Sequence, residues 1–183
     1  MHALGMDTVT KAAKQKFSWR EFIRLFCAFF GMSFIVGIGS YSFLHFVCGQ
    51  RHVFGALFRM FVYHEQHPAE YLAVVASSYA LFAAAWGVRS RSFGWRRHLG
   101  VLGVLMATLL LSSAVGGVLW HFHDMQAGHF PPWERRLTAF AEGISSGIAV
   151  GWLLVLLSFP LNVISVAFAY AAALYFPRRI RNT

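Results

Sequence analysis

The sequence predicts an all-α integral membrane protein, built as one four-transmembrane-helix bundle with both termini in the cytoplasm. Hydrophobic residues make up 57% of the 183 residues and charged residues only 13%, whereas a soluble domain carries about 25% charged residues. Nineteen phenylalanines and six tryptophans are far more than a disordered chain contains. Four uncharged apolar runs each approach or exceed the ~20 residues that cross a bilayer as a helix. These three observations exclude an ordinary soluble globule.

The chain forms a single membrane domain in which four predicted helices alternate with short loops. In order, we predict a basic cytoplasmic tail (1–20), helix one (22–46), an outer interfacial segment (50–68), helix two (70–89), a cytoplasmic loop (90–98), helix three (99–121), an outer loop (122–136), helix four (139–177) and a basic tail (178–183). The apolar run of helix one is about twenty residues long, which exceeds the 7 to 15 residues of a cleaved signal peptide.

Two of these segments depart from a simple transmembrane helix. Residues 53–63 read VFGALFRMFVY, which is too short to span, so we predict a short interfacial helix in the first outer loop. The fourth run has 34 uncharged residues from Gly143 to Phe176, about 51 Å as a helix. We predict that Pro160 kinks this long helix and that Asn162 satisfies a backbone group freed by the proline.

The basic residues predict the orientation of the bundle. The net charge is +9, and twelve of the sixteen lysines and arginines fall in the two tails and the middle loop or, as Arg24 and Arg89 do, at the adjoining helix ends. This distribution follows the positive-inside rule, so we expect both termini in the cytoplasm of a bacterium and the bundle in its inner membrane. The basic inner face is a candidate surface for a cytoplasmic protein partner. We expect no nucleic-acid partner, because the basic residues lack the interleaved aromatic side chains that stack on bases.

Small residues mark the faces on which helices approach closely. Gly143, Gly147 and Gly151 recur at four-residue spacing, which clears a stripe for a neighbouring helix. The sequence leaves open whether this stripe packs inside the bundle or between protomers of a homo-oligomer. Helix two carries a similar face, formed by Ala76, Ala80 and Ala84.

Histidine carries the clearest chemical signal. Seven of the nine histidines lie at or beyond the predicted outer ends of the helices, together with several acidic residues that include Glu65 and Glu70. Imidazole and carboxylate are ligands for a transition metal such as zinc or copper. The candidate ligands are His64, His67, His121, His123, Asp124 and His129.

Spacing supports two pairs within this set. His64 and His67 are three residues apart and share one face of a helical turn, whereas His121 and His123 share one side of an extended segment. The HEQH sequence at 64–67 is not the HExxH motif of zinc proteases, because its histidines are three positions apart instead of four. Two other interpretations remain open: histidines that only anchor at the membrane interface, and a pH-responsive cluster.

The predicted spans contain no charged residue or histidine at mid-membrane, and the chain has no phosphate-binding loop or nucleophile elbow. The uncharged spans make the chain a poor candidate for a secondary transporter acting alone. The missing motifs give no support to catalysis on a soluble substrate, so we predict a protein that is not an enzyme. The first hypothesis is a membrane subunit, a sensor, anchor or regulator of the kind found in stress, immunity or defence systems. The alternative is a cation or metal permease or pore component, with a polar seam of Thr108, Ser112, Ser113 and Asn162. A membrane metalloenzyme or haem protein is a distant third.

Overall fold

The computed structural model describes residues 18–55, 62–89, 94–129 and 136–181. Regular structure in these ranges is entirely helical, which confirms the all-α prediction. The elements are α1 (Trp19–Ser42), which continues into a π-helical segment (Phe43–Val47), α2 (Val62–Gln66), α3 (Pro68–Arg89), α4 (Trp95–Gln126), α5 (Arg136–Leu157) and α6 (Leu161–Arg181). Of the predicted interfacial helix at 53–63, residues 53–55 are not helical, residues 56–61 lie outside the described ranges, and only Val62 and Tyr63 fall in a helix, α2.

Four helical segments are long and apolar enough to cross a membrane, as predicted. They are Trp19–Val47, Pro68–Arg89, Trp95–Gln126 and Phe140–Leu157, and Leu161–Pro177 is a shorter apolar helix. These helices are consistent with an integral membrane protein. The predicted basic tail lies almost wholly outside the described residues, which begin at residue 18.

Local signals explain where two of the helices begin. Ser18 precedes α1, and its side-chain oxygen accepts a hydrogen bond from the Glu21 backbone N–H at 3.4 Å. This contact satisfies one of the amides that the first helical turn leaves without a partner. Pro68 is the first residue of α3, a position where the missing N–H of proline has no cost.

The main core forms where α1 packs against α3. Leu25 and Phe29 are fully buried there, and the Phe29 ring meets the Tyr79 ring edge-on with centroids 5.6 Å apart. The predicted small-residue face of α3 is buried, including Ala80 and Ala84. Alanine side chains let the two helix backbones approach, so that van der Waals contacts accumulate along the interface.

The glycine stripe of α5 packs against α4 of the same chain. A Cβ atom at Gly147 would overlap the backbone carbonyl oxygen of Ser113, and one at Gly143 would lie 3.1 Å from the carbonyl oxygen of Gly117. Gly151 faces the Ser113 side chain. The sequence left open whether the stripe packs within the bundle or between protomers. In the structure it packs within the bundle, against α4.

The predicted fourth helix (139–177) is not continuous, and this prediction is corrected. Helix α5 ends at Leu157 and α6 begins at Leu161. The helix is therefore interrupted at Pro160, where the sequence predicted only a kink. Because proline has no N–H, Pro160 cannot donate to the preceding turn. The Asn162 side-chain amide donates to the Val155 carbonyl at 2.7 Å, whereas the carbonyl that the missing N–H of Pro160 frees is that of Leu156, four residues earlier.

Helix α4 also extends further than predicted, and this changes the outer loop. Helix three was expected to end at residue 121, but α4 continues to Gln126. His123 and Asp124 therefore belong to the last turns of a helix and not to the predicted extended loop. The consequence for the candidate ligands follows from helical geometry and is described below.

Candidate metal centre

One end of the bundle gathers most of the predicted outer residues. The end of α1, the short α2, the start of α3 and the end of α4 meet there, and contacts such as Tyr41 with Glu65 and Tyr71 with His123 join them. We call this region the histidine end, defined by residues 41–55, 62–72 and 120–129. The antiparallel order of α1, α3 and α4 explains this gathering, since alternate helix ends meet at one side.

His67 and Glu70 come together through the first turn of α3. The His67 backbone carbonyl accepts hydrogen bonds from the backbone N–H groups of Glu70 at 3.1 Å and Tyr71 at 3.4 Å. His67 therefore caps the helix that Pro68 begins. Residues three apart in a helical turn share a face, and the His67 Nδ1 atom lies 3.4 Å from Glu70 Oε1.

His123 completes the cluster from the end of α4. It is buried, and its Nε2 atom lies 3.2 Å from Glu70 Oε2. Its other ring nitrogen, Nδ1, lies 3.3 Å from the hydroxyl oxygen of the buried Tyr71. The three side chains His67, Glu70 and His123 thus place their ligand atoms within 4.8 Å of one another.

The spacing of these atoms suits a small transition-metal ion. Zinc binds histidine nitrogen and carboxylate oxygen at about 2.0–2.2 Å, so two ligands at a tetrahedral angle stand roughly 3.3 Å apart. The two nitrogen–oxygen separations, 3.2 and 3.4 Å, are close to this value, but they reach different oxygens of Glu70 and are also hydrogen-bond distances. Three protein ligands leave a fourth position open, and the exposed side chain of Glu70 gives an ion a route to the site.

Tyr71 contacts His123 at Nδ1, the ring nitrogen that does not face Glu70. A histidine that binds a metal through one ring nitrogen commonly uses the other in a hydrogen bond, which fixes the ring and its tautomer. The Tyr71 hydroxyl occupies this second position, and the His64 ring stacks on the Tyr71 ring with centroids 3.6 Å apart. The Tyr71 ring is therefore held from one side while its hydroxyl holds His123.

Two of the six predicted ligands, His67 and His123, belong to this cluster, and His64 does not. The predicted pairing of His121 with His123 is wrong, because both lie in α4, where residues two apart point about 200° away from each other. His121 is buried beside the Trp120 ring, with centroids 4.6 Å apart.

The other two predicted ligands, Asp124 and His129, form a separate group. The Tyr63 hydroxyl donates to Asp124 Oδ1 at 2.8 Å, and His129 Nδ1 lies 3.8 Å from the same oxygen. Tyr63 lies in α2, so this contact ties α2 to α4. Hydrogen bonding to the Asp124 carboxylate, more than burial, raises the pKa of Tyr63 above the usual tyrosine value.

Glu70 is the ligand that the sequence prediction omitted. The available signal was the spacing of His67, Pro68 and Glu70, because proline favours the first position of a helix. A residue just before that proline and one two positions after it then lie on the same turn. The partnership with His123 had no such local signal, since 53 residues separate it from Glu70.

An apolar cavity of about 110 Å³ lies beside the cluster, between α3, α4 and α5. His64 and Tyr71 form part of its wall at the histidine end. The hydroxyls of the predicted polar seam point to their own helix: Thr108 donates to the Val104 carbonyl at 2.8 Å and Ser112 to the Leu109 carbonyl at 3.3 Å. Ser112 and Ser113 line the cavity, whereas Thr108 and Asn162 do not, so the four seam residues do not form one continuous row along it.

Comparisons with known proteins add no guide to function. No known protein family, curated protein or solved structure matches this chain. The chemistry of the histidine end must therefore be judged from its own geometry.

Proposed function

We propose that this protein is a non-enzymatic membrane subunit that binds a divalent transition-metal ion at its histidine end and acts as a metal-responsive sensor or regulator. The observation that carries the proposal is the cluster of His67, Glu70 and His123, whose ligand atoms lie within 4.8 Å of one another. Two imidazoles and one carboxylate favour zinc or copper over calcium or magnesium, which prefer all-oxygen sites.

The charge distribution supports an orientation for this subunit. With twelve lysines and arginines in the tails, the middle loop and the adjoining helix ends, both termini face the cytoplasm of a bacterium in this proposal, and the histidine end faces outward. The site would then sample metal outside the inner membrane, while the basic inner face meets a cytoplasmic partner protein.

Self-association remains part of the proposal, but it needs a surface other than the glycine stripe, which α4 already covers. Large apolar side chains are exposed along α1, α5 and α6, among them Ile35, Trp152 and Tyr175. Lipid or a second copy of the chain would cover them. A permease receives little support, because Thr108 and Asn162 of the proposed seam do not line the cavity that Ser112 and Ser113 line.

Metal binding to the purified full-length protein tests this proposal. Isothermal titration with zinc, in detergent and without chelator, should give one site per chain. Replacing His67 or His123 by alanine, or Glu70 by glutamine, should weaken binding by more than about 100-fold, since loss of a mere supporting residue already costs 10–100-fold.

The matched control for these variants is His52→Ala, because His52 is exposed and lies outside the cluster. It should bind zinc as the wild type does. Absence of a stoichiometric site in the wild-type protein, or equal affinity in all four variants, would reject the metal-binding function.

A further inference from the structure

Helix α2 contacts three other helices at the histidine end. Three successive residues each reach a different helix: the Tyr63 hydroxyl donates to Asp124 in α4, the His64 ring stacks on Tyr71 in α3, and the Glu65 carboxylate accepts a hydrogen bond from α1. Successive side chains of a helix point about 100° apart, which allows a single turn to face three neighbours.

Glu65 also holds the loop that follows α1. Its Oε2 atom accepts from the Tyr41 hydroxyl at 3.1 Å, and its Oε1 atom accepts from the Phe54 backbone N–H at 2.8 Å. The Phe54 ring stacks on the Tyr41 ring, with centroids 5.3 Å apart. One carboxylate thus joins α2, the end of α1 and the loop at residues 48–55.

Helix α2 and the candidate metal cluster are joined by consecutive residues of the backbone. His67 follows the last residue of α2, and its N–H donates to the Tyr63 carbonyl at 2.8 Å. A five-residue helix has little stability of its own, so α2 keeps its position through its side chains and its ends. An ion that binds His67 would therefore hold the end of α2 as well.

We infer that metal binding at His67, Glu70 and His123 fixes α2 in place and, through Glu65, fixes the loop at residues 48–55 and the adjoining end of α1. This inference rests on the proposed function. The coupling would carry the effect of metal binding to the other end of the bundle. Helix α1 runs from this loop to that end, where Leu25 and Phe29 pack in the main core. Site occupancy is coupled to a helix that reaches the other side.

The hydrogen-exchange rate of the Phe54 amide tests the inference directly, because that N–H donates to the Glu65 carboxylate. Suppose that the Phe54 amide exchanges when α2 is released and that this release disrupts the metal site. Zinc at ten times its Kd then lowers the population of the released state by about 11-fold. Exchange in the full-length protein should then slow by about tenfold at Phe54 on adding zinc chloride. Magnesium chloride at the same concentration should have no such effect.

The variant Glu65→Gln weakens the link while leaving all three ligands in place. It should bind zinc within about twofold of wild type but lose most of the zinc-dependent slowing at residues 48–55. Glu142→Gln is the matched control, since Glu142 is an exposed carboxylate of α5, and it should keep the full effect. Should Glu65→Gln fail to fold, Tyr41→Phe removes only the hydroxyl donor on α1, and zinc should then slow exchange at Phe54 but not at residues 43–47.

The outcomes separate the two proposals. No zinc binding by the wild type rejects the proposed function itself. Zinc binding with unchanged exchange at Phe54 keeps that function and overturns the coupling. The coupling is equally overturned if Glu65→Gln folds, binds zinc and shows the same slowing as the wild type.

Discussion

The imidazole rings of His67 and His123 lie stacked, with centroids 4.2 Å apart and 27° between their planes, and each directs one nitrogen at a different oxygen of Glu70. This relationship joins the start of α3 to the end of α4. Two protonated imidazoles at this separation would repel each other, whereas two neutral imidazoles with a carboxylate form a ligand set for a cation.

Acidification should weaken zinc binding, because protons compete with the metal for the imidazole nitrogens. With two histidine ligands, the slope of log Kd against pH should approach about −2 in the acid range, so affinity falls as pH falls. Titrations in the wild type at several pH values measure this slope. In His67→Ala, measured at higher zinc concentration, it should drop to about −1. A pH-independent affinity would exclude histidine ligation.

Tyr71→Phe should weaken zinc binding by about 10–100-fold without removing a ligand. The change deletes the hydroxyl beside His123 Nδ1 but keeps the ring on which His64 stacks. Tyr170→Phe is a control at the opposite end of the bundle, where its hydroxyl meets His98, and its affinity should be that of the wild type. Equal affinity in both variants would mean that Tyr71 does not position the ligand.

His64→Ala and His121→Ala should weaken zinc binding far less than His123→Ala does, and by no more than about 10–100-fold, since neither residue belongs to the cluster of ligand atoms. This outcome differs from a four-histidine site, in which each single loss would be equally severe. The same titration measures both variants beside His123→Ala. A loss at His121 as large as that at His123 would require a different ligand set.

Gly147→Leu should destabilise the bundle, because any Cβ at this position overlaps the Ser113 backbone. Overpacking of this kind costs about 1–3 kcal/mol or more, which lowers Tm by roughly 3–10 °C for a chain of this size. Ala149→Leu is the control, since Ala149 is exposed on the same helix. Thermal unfolding in detergent compares them, and indistinguishable melting curves would argue against the α4–α5 interface.

A green fluorescent protein fused after residue 183 should fluoresce, because the charge distribution predicts a cytoplasmic C-terminus. In a chain with Cys27→Ser and Cys48→Ser, a cysteine introduced by His52→Cys should react with a membrane-impermeant maleimide in intact cells. His52 is exposed at the histidine end. A dark fusion together with a protected cysteine would invert the proposed orientation.

The sequence by itself determined the helical class and the presence of four apolar segments long enough to cross a membrane. It also singled out Pro160, but it predicted a kink there, whereas one helix ends at Leu157 and the next begins at Leu161. These features depend on composition, on run length and on proline chemistry, all of which act within a few turns of the chain.

Only the tertiary structure decided which histidines meet. His123 joins the cluster and His121 does not, because α4 continues to Gln126 and its helical period turns the two side chains apart. Glu70 meets His123 across 53 residues through the packing of α3 against α4. The same long-range packing placed the glycine stripe inside the chain. Spacing along a sequence specifies neighbours on one turn, whereas contacts between helices depend on how their ends are aligned in space.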